Sequence, residues 1–211
     1  IKLINGVQRF QLTDHTKKRN YKFSTNLSGR HNLYNVTAAI CVAIEENISV
    51  KNISRGLLDF QGVGRRFELS KLYFKDQPHV LIDDYGHHPA EILSTILATK
   101  EKFPRQKFCM IFEPHRFTRT QQLFEEFVKV LSKADFLLLL DIYPASEKPI
   151  KGITTKKLAA KILKNNKNVH YIGSRDPLEW LQENHNNFSI VITQGAGTIS
   201  RLNNEIKKKW Q

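Results

Sequence analysis

Sulfur is scarce in the 211-residue sequence, which holds two cysteines and one methionine. Cys41 sits in a helical pattern and Cys109 inside Phe108-Cys109-Met110-Ile111-Phe112. Without Cys-x-x-Cys spacing or a disulfide count, the pattern excludes a disulfide framework and a thiolate metal site, and a reducing cytoplasm fits. Long hydrophobic runs are missing too. No window approaches the ~18 consecutive apolar residues of a membrane span, so no membrane partner is expected. The start, Ile1-Lys2-Leu3-Ile4-Asn5-Gly6, is neither a signal peptide nor an initiator methionine and reads as beginning in mid-chain. Gly-Lys-Ser and Gly-Lys-Thr are absent, so any ATP site here lacks its phosphate-cradling loop. With 10 Gly and 7 Pro, nothing suggests a collagen-like or disordered chain. Acidic residues are the last shortage: 20 Asp and Glu face 33 Lys and Arg, a formal charge of +13. That balance makes an anionic partner worth testing, whether nucleotide, nucleic acid or membrane surface. Much of the excess lies in stretches such as Lys164-Asn165-Asn166-Lys167-Asn168 and Lys207-Lys208-Lys209, which read as solvated faces. A nucleic-acid module would draw on the Lys157, Lys161, Lys164 stripe. The aromatics are not interleaved with the basic residues as a stacking platform requires, so no nucleic-acid partner is expected.

What is present is a core. Hydrophobic residues make up 40% of the chain, enough for one large domain or one domain and part of another. Up to about residue 28 the pattern is short and strand-like, two or three strands without a core of their own, with a turn signal at Asn5-Gly6. Apolar residues at Leu33, Val36, Ile40 and Ala43/Ile44 then follow the 3.6-residue helical period. A second helix is expected over 50–59, and Gln61-Gly62-Val63-Gly64 reads as a hinge, dividing 1–62 from 63–211. Strands are expected at 67–74, 79–83, 107–112, 136–141, 168–172 and 188–193. Helices are expected at 90–102, 120–133, 154–165, 175–184 and 198–210. Strands alternating with helices imply an α/β fold with a doubly wound, mostly parallel sheet. The all-apolar runs at 108–112 and 136–140 suit strands buried on both faces.

In such a sheet, ligands bind beyond the carboxyl ends of the strands. The segments there are polar: Asp83 to Pro89, Glu113 to Arg119, Asp141 with Tyr143 to Glu147, and Gln194-Gly195-Ala196-Gly197. Asp84 can serve a ligand or cap the helix opening near Pro89. His87 and His88 are adjacent and lack metal-ligand spacing, so no metal site is expected. His115, Arg116 and Arg119 bring two guanidinium forks and an imidazole within five residues, suited to clamping a carboxylate or phosphate. Asn32 and Asn35 can read the edge of an adenine with their amides, or Asn32 can cap the helix. Arg66 is either a mobile charge beside the hinge or a surface arginine.

Six segments, in this order and spacing, resemble the Mur ligases. They are Gly29-Arg30-His31-Asn32-x-x-Asn35, Phe60 to Phe67, Asp83-Asp84-Tyr85-Gly86-His87-His88-Pro89-x-Glu91, Pro114 to Thr120, Tyr143-Pro144-Ala145 and Gln194-Gly195-Ala196-Gly197. The resemblance implies that 1–62 is the end of a central α/β ATP-binding domain and 63–211 a C-terminal Rossmann-like domain that closes over the nucleotide. It also implies a cytoplasmic, ATP-dependent ligation. A carboxylate takes the γ-phosphate and an amine attacks the acyl phosphate; the run from Asp83 to His88 favours the member that joins L-alanine to UDP-N-acetylmuramate over one that adds a different amino acid or a recycled peptide. By position, Asn32 and Asn35 match residues at the adenine side. Arg66 and Asp84 match residues that engage ATP, while Tyr85, His87, His115, Arg116 and Arg119 match the group around the amino acid and nascent product. The resemblance places the P-loop lysine and Mg2+ ligands in the N-terminal and central domains, before Ile1. Two residues depart from the family pattern: Glu113 where glutamine is usual, beside the proposed clamp, and Ser146 where glycine is usual.

Overall fold

A computed structural model describes every residue except Asn5, Ser28, Gln61 and Ser174, and every side chain within its helices and strands except Leu3 and His31. Asn5 of the expected turn and Gln61 of the expected hinge thus lie outside the described residues. Contacts divide the chain into two compact units, Ile1–Val63 with Leu97–Lys102, and Gly64–Ile96 with Phe103–Gln211.

The first unit opens with an antiparallel sheet of β1 (Lys2–Ile4), β2 (Val7–Asp14) and β3 (Arg19–Thr25). Phe10 and Phe23 face each other across β2 and β3 with ring centroids 6.1 Å apart. Two helices follow, α1 (Arg30–Glu45) and α2 (Val50–Asp59). Leu33, Val36 and Ile40, spaced by three and four along α1, bury one stripe against the two phenylalanines and Ile53 of α2. The strands thus share a core with the helices: one face of the sheet is apolar and α1 and α2 supply its other half.

The second unit carries a six-stranded sheet in the order β4-β5-β9-β6-β7-β8. Its strands are β4 (Glu68–Phe74), β5 (Gln77–Asp84), β6 (Phe108–Phe112), β7 (Phe136–Leu140), β8 (Val169–Gly173) and β9 (Ile190–Gln194). β4 and β5 form an antiparallel hairpin whose turn residues, Lys75 and Asp76, have φ of 46° and 65°, the left-handed pair that matches strand twist. The remaining neighbours run parallel. The expected mostly parallel α/β sheet is thus observed, with strand positions displaced by at most two residues.

Between and after the strands come α3 (Pro89–Lys102), α4 (Phe117–Gln122), α5 (Phe124–Leu131), α6 (Thr155–Ile162), α7 (Pro177–Asn184) and α8 (Ile199–Trp210). Leu81, Cys109, Ile111, Leu138 and Val191 point to one face and pack with Leu178 and Leu181 of α7 and Leu202 and Ile206 of α8. Because side chains alternate along a strand, Ile82, Met110, Leu137 and Ile192 are buried on the opposite face, where α6 packs on β7 and β8 beside α5. The single helix expected over 120–133 is instead two. α4 starts earlier, at Phe117, and Leu123 ends it and starts α5 with φ −111° and ψ 23°. The early start is set by a carboxylate from another loop, Glu147, which no local pattern reveals.

Candidate functional site

All five parallel strands point the same way, so the loops leaving β5, β6, β7 and β9 open on one edge of the sheet. The segments after β6 and β9 depart to opposite faces, which makes the gap between these neighbours the natural place for a ligand.

The loops after β6 and β7 are joined backbone to backbone. Tyr143 N–H donates to Pro114 O at 2.8 Å and Arg116 N–H to Tyr143 O at 2.8 Å, forming an isolated parallel bridge between His115 and Tyr143. The rings of these two residues stack at 5.4 Å. The His87 ring lies 5.4 Å from that of His115, tilted to it, and Tyr85 meets His87 edge-on at 5.4 Å. Arg116, just before α4, holds φ 75°, a costly conformation for a side-chain-bearing residue and one that concentrates at functional sites. Arg116 is exposed; Arg119 is half-buried and turned back on its own loop, donating to His115 O at 3.2 Å and Nδ1 at 3.3 Å.

Glu147 completes this group. Its carboxylate accepts from Thr118 Oγ1 at 2.6 Å and Thr118 N–H at 3.0 Å, closing the first turn of α4, and lies 3.9 Å from Arg116 Nη1. The Thr118 hydroxyl and amide hold the Glu147 carboxyl below its ordinary range. Partial burial, with His87, Arg119 and Arg116 nearby, holds the His115 imidazolium below its ordinary range, and Glu147 opposes this only weakly. The cluster thus offers more cationic than anionic groups at an exposed edge, the arrangement an anionic substrate needs.

Asp84 is fully engaged. It accepts from Phe67 N–H at 2.9 Å, Gly86 N–H at 2.8 Å and Gln194 Nε2 at 2.8 Å. A Cβ on Gly86 would lie 2.6 Å from Gln194 Nε2 and 2.7 Å from Asp84 Oδ1, so only glycine permits this approach. Asp84 does not cap α3. That helix is closed by Glu91, which accepts from the N–H groups of His87 at 2.8 Å and His88 at 2.9 Å. Burial works against the Glu91 charge, yet these amides keep its carboxyl below the usual range.

Of the arginine pair at 65 and 66, the inward one is Arg65, which sequence reasoning passed over. Its Nε meets Asp83 at 3.3 Å, its Nη2 donates to Gly195 O at 2.8 Å, and the guanidinium lies 5.2 Å from the centre of the Tyr85 ring. Burial raises the Asp83 carboxyl even so, against the pull of Arg65 and Thr193. Arg66 is exposed. The doublet itself was the available signal; which member turns inward follows from φ 59° at Arg65 and from Tyr85 N–H donating to Arg65 O at 2.7 Å.

Glu113 does not sit as a free charge beside the arginines. It accepts from Thr198 Oγ1 and, at 3.0 Å, from Ile199 N–H, so it caps α8, where a carboxylate is favoured by the helix dipole. Ser146 has φ 70° after Ala145 at 46°, which gives a reason for glycine being usual there. In the first unit, Asn32 is 8% exposed and Asn35 exposed. The residue capping α1 is Gly29, so Asn32 is not the N-cap. Among the described residues, no three His, Cys, Asp or Glu side chains come together as a metal site built from protein side chains alone would require. Nor is any helix among them long and apolar enough to cross a membrane.

Residues 65–197 match a family described as "Mur ligase, glutamate ligase domain". The chain is 43% identical over 175 residues to UDP-N-acetylmuramate–L-alanine ligase of Legionella pneumophila strain Corby, covering 82% of the chain and 37% of that protein. It is 38% identical over 227 aligned positions to the protein of that name from Baumannia cicadellinicola, covering 96% of the chain and 46% of that protein. The chain therefore spans less than half the length of these relatives. Among solved structures, UDP-N-acetylmuramate-alanine ligase of Thermotoga maritima matches with a TM-score of 0.77 at 22% identity, over 97% of this chain and 43% of that one. A murein peptide ligase of Psychrobacter arcticus matches with a TM-score of 0.61 at 18% identity, over 96% and 44%. At these identities the likeness speaks for the fold.

Proposed function

The chain belongs to the Mur ligase family, and from that premise we propose that it is the C-terminal part of an ATP-dependent ligase joining L-alanine to UDP-N-acetylmuramate. The observation that carries this reading is the bridged pair of loops that sets His115, Arg116 and Arg119 together at the carboxyl edge of the sheet, with His87 from the loop after β5 beside His115. The substrates come from the names of its relatives in Legionella and Baumannia.

In the reaction, the carboxylate oxygen of the muramoyl group attacks the γ-phosphorus of ATP, and ADP departs. The alanine amine then forms a C–N bond at the acyl carbon, and phosphate leaves with the C–O electron pair. Such chemistry depends on positioning and on offsetting negative charge. Arg116, exposed and held at an unusual φ, presents its guanidinium to the alanine carboxylate. Arg119 keeps part of its planar fork for the same anion while Nη1 serves His115. Tyr85, His87 and His115 line the amino-acid side. Asn32 and Asn35 serve the adenine. Arg66, with no ion pair among the described residues, is the charge offered to ATP. Asp84 acts through the backbone of Phe67, next to Arg66, because its oxygens are already committed. Residues 1–62 are the end of the ATP-binding domain and 63–211 the C-terminal domain; the phosphate-cradling loop and Mg2+ ligands belong to the portion of the relatives this chain does not span. The cytoplasm, where these substrates would be met, is the proposed location.

The test supplies the N-terminal and ATP-binding portion of a relative in trans and measures phosphate release. Release should require both polypeptides, UDP-N-acetylmuramate and L-alanine, and Arg116→Ala should lower it by roughly a hundredfold, the scale of losing a donor to developing charge. Release with glycine or D-glutamate but not L-alanine would replace the alanine assignment; full activity in Arg116→Ala would remove the proposed clamp.

A further inference from the structure

A guanidinium carries five N–H donors and no acceptor, so an arginine hydrogen-bonded to an imidazole nitrogen reveals where the ring's lone pair lies. Arg119 Nη1 is 3.3 Å from His115 Nδ1 and 3.2 Å from His115 O, one turn back from α4. Nδ1 must therefore be the accepting nitrogen. We propose that Arg119 is a positioning residue that fixes His115 as the neutral tautomer with its proton on Nε2, so that the imidazole enters the site as a hydrogen-bond donor and not as a general base.

The surroundings agree from every side. His87 approaches from the loop after β5, Arg116 and Arg119 from the start of α4, and all three disfavour a second proton on His115. The opposing carboxylate, Glu147 from the loop after β7, is occupied by Thr118. Tyr143, stacked on the ring, holds its plane, and the bridge between the two backbones holds its position. With imidazolium disfavoured, two neutral tautomers remain, and Arg119 accommodates only one of them. Nε2 has no partner among the described residues.

What this does for catalysis rests on the ligase reading. The alanine amine cannot deliver its proton to Nδ1, which is occupied, or to Nε2, which already bears one. As the C–N bond forms, the carbonyl π pair moves onto oxygen, and Nε2–H donates to that oxyanion. Phosphate then departs with the C–O electrons and carries off the surplus amine proton. A fixed donor aimed at developing charge is the kind of group that lowers such a barrier.

The tautomer can be read on the 211-residue chain without any activity. Long-range 1H–15N correlation of its histidines at neutral pH should show His115, assigned by loss of its signals in His115→Gln, with an unprotonated Nδ1 and a protonated Nε2. Arg119→Lys, which keeps a donor, should retain that pattern, whereas Arg119→Met should give averaged tautomers. A protonated Nδ1, an imidazolium at neutral pH, or an unchanged spectrum in Arg119→Met would overturn the proposal. If Arg119→Met does not fold, the unsubstituted chain alone still decides. A failed phosphate-release assay would remove the ligase reading and leave this tautomer standing, while the wrong tautomer would do the reverse.

Discussion

Arg65 and Arg66 are chemically identical neighbours that the fold treats in opposite ways. Arg65 pairs with Asp83, which is 4% exposed, and reaches the carbonyl of Gly195. Replacing it strands a buried carboxylate, a loss of 3–5 kcal/mol for a fully buried pair; because Arg65 itself is partly solvated, Arg65→Met should cost about 2 kcal/mol. Arg66→Met should stay within about 0.5 kcal/mol, as surface substitutions do. Urea unfolding of both variants checks this, and equal losses would contradict the geometry. At this scale the sequence was least informative. It named His115, Arg116 and Arg119 because two guanidinium forks and an imidazole follow one strand end, and the resemblance to the Mur ligases added Tyr85 and His87. It could not say which arginine turns inward, that Glu147 would close α4, or that Arg119 would spend a nitrogen on His115, since each depends on residues distant in the chain or on one backbone angle.

The helices and strands of the second unit were more legible, because period and apolar runs are local. The exception, α4 and α5, is instructive: a helical pattern spans 120–133, but Glu147 draws the helix start back to Phe117 and Leu123 breaks the run. A helix end is decided by whatever satisfies its free N–H groups, and here as at α8 the partner comes from another loop. At α8 that partner is Glu113. Glu113→Ala would leave the Thr198 hydroxyl and Ile199 amide without their acceptor and should cost about 2 kcal/mol. Glu113→Gln keeps an acceptor and should lose under half as much by thermal or urea unfolding. Near-equal losses would mean that the carboxyl does not cap α8. The glycine at 197 belongs to the same joint. A Cβ there would come within 2.6 Å of Tyr143 Cγ and closer still to Glu113, so the loop after β9 can wrap Glu113 only without a side chain.

For the whole molecule, the division into two units makes residues 64–211 a candidate for independent folding. The face of its sheet packed by α7 and α8 is buried by residues from within the unit. A polypeptide of residues 64–211 should unfold in one cooperative transition by circular dichroism, with His115 signals matching those of the full chain. A broad, non-cooperative melt would show that the second unit depends on the first. The order of the strands adds a temporal constraint. β9, the last strand to be made, lies between β5 and β6, and Gln194 on it secures Asp84 110 residues earlier. A ribosome can thus release β5 to β8 without releasing a closed sheet. Until residues 190–194 emerge, two open edges stand where the central strand belongs, and folding must wait on a long-range closure. A stop codon or a protease cut just before β9 would therefore do more than shorten the chain: it would leave the polypeptide with a gap at its centre and the facing edges of β5 and β6 open to chaperones or to aggregation.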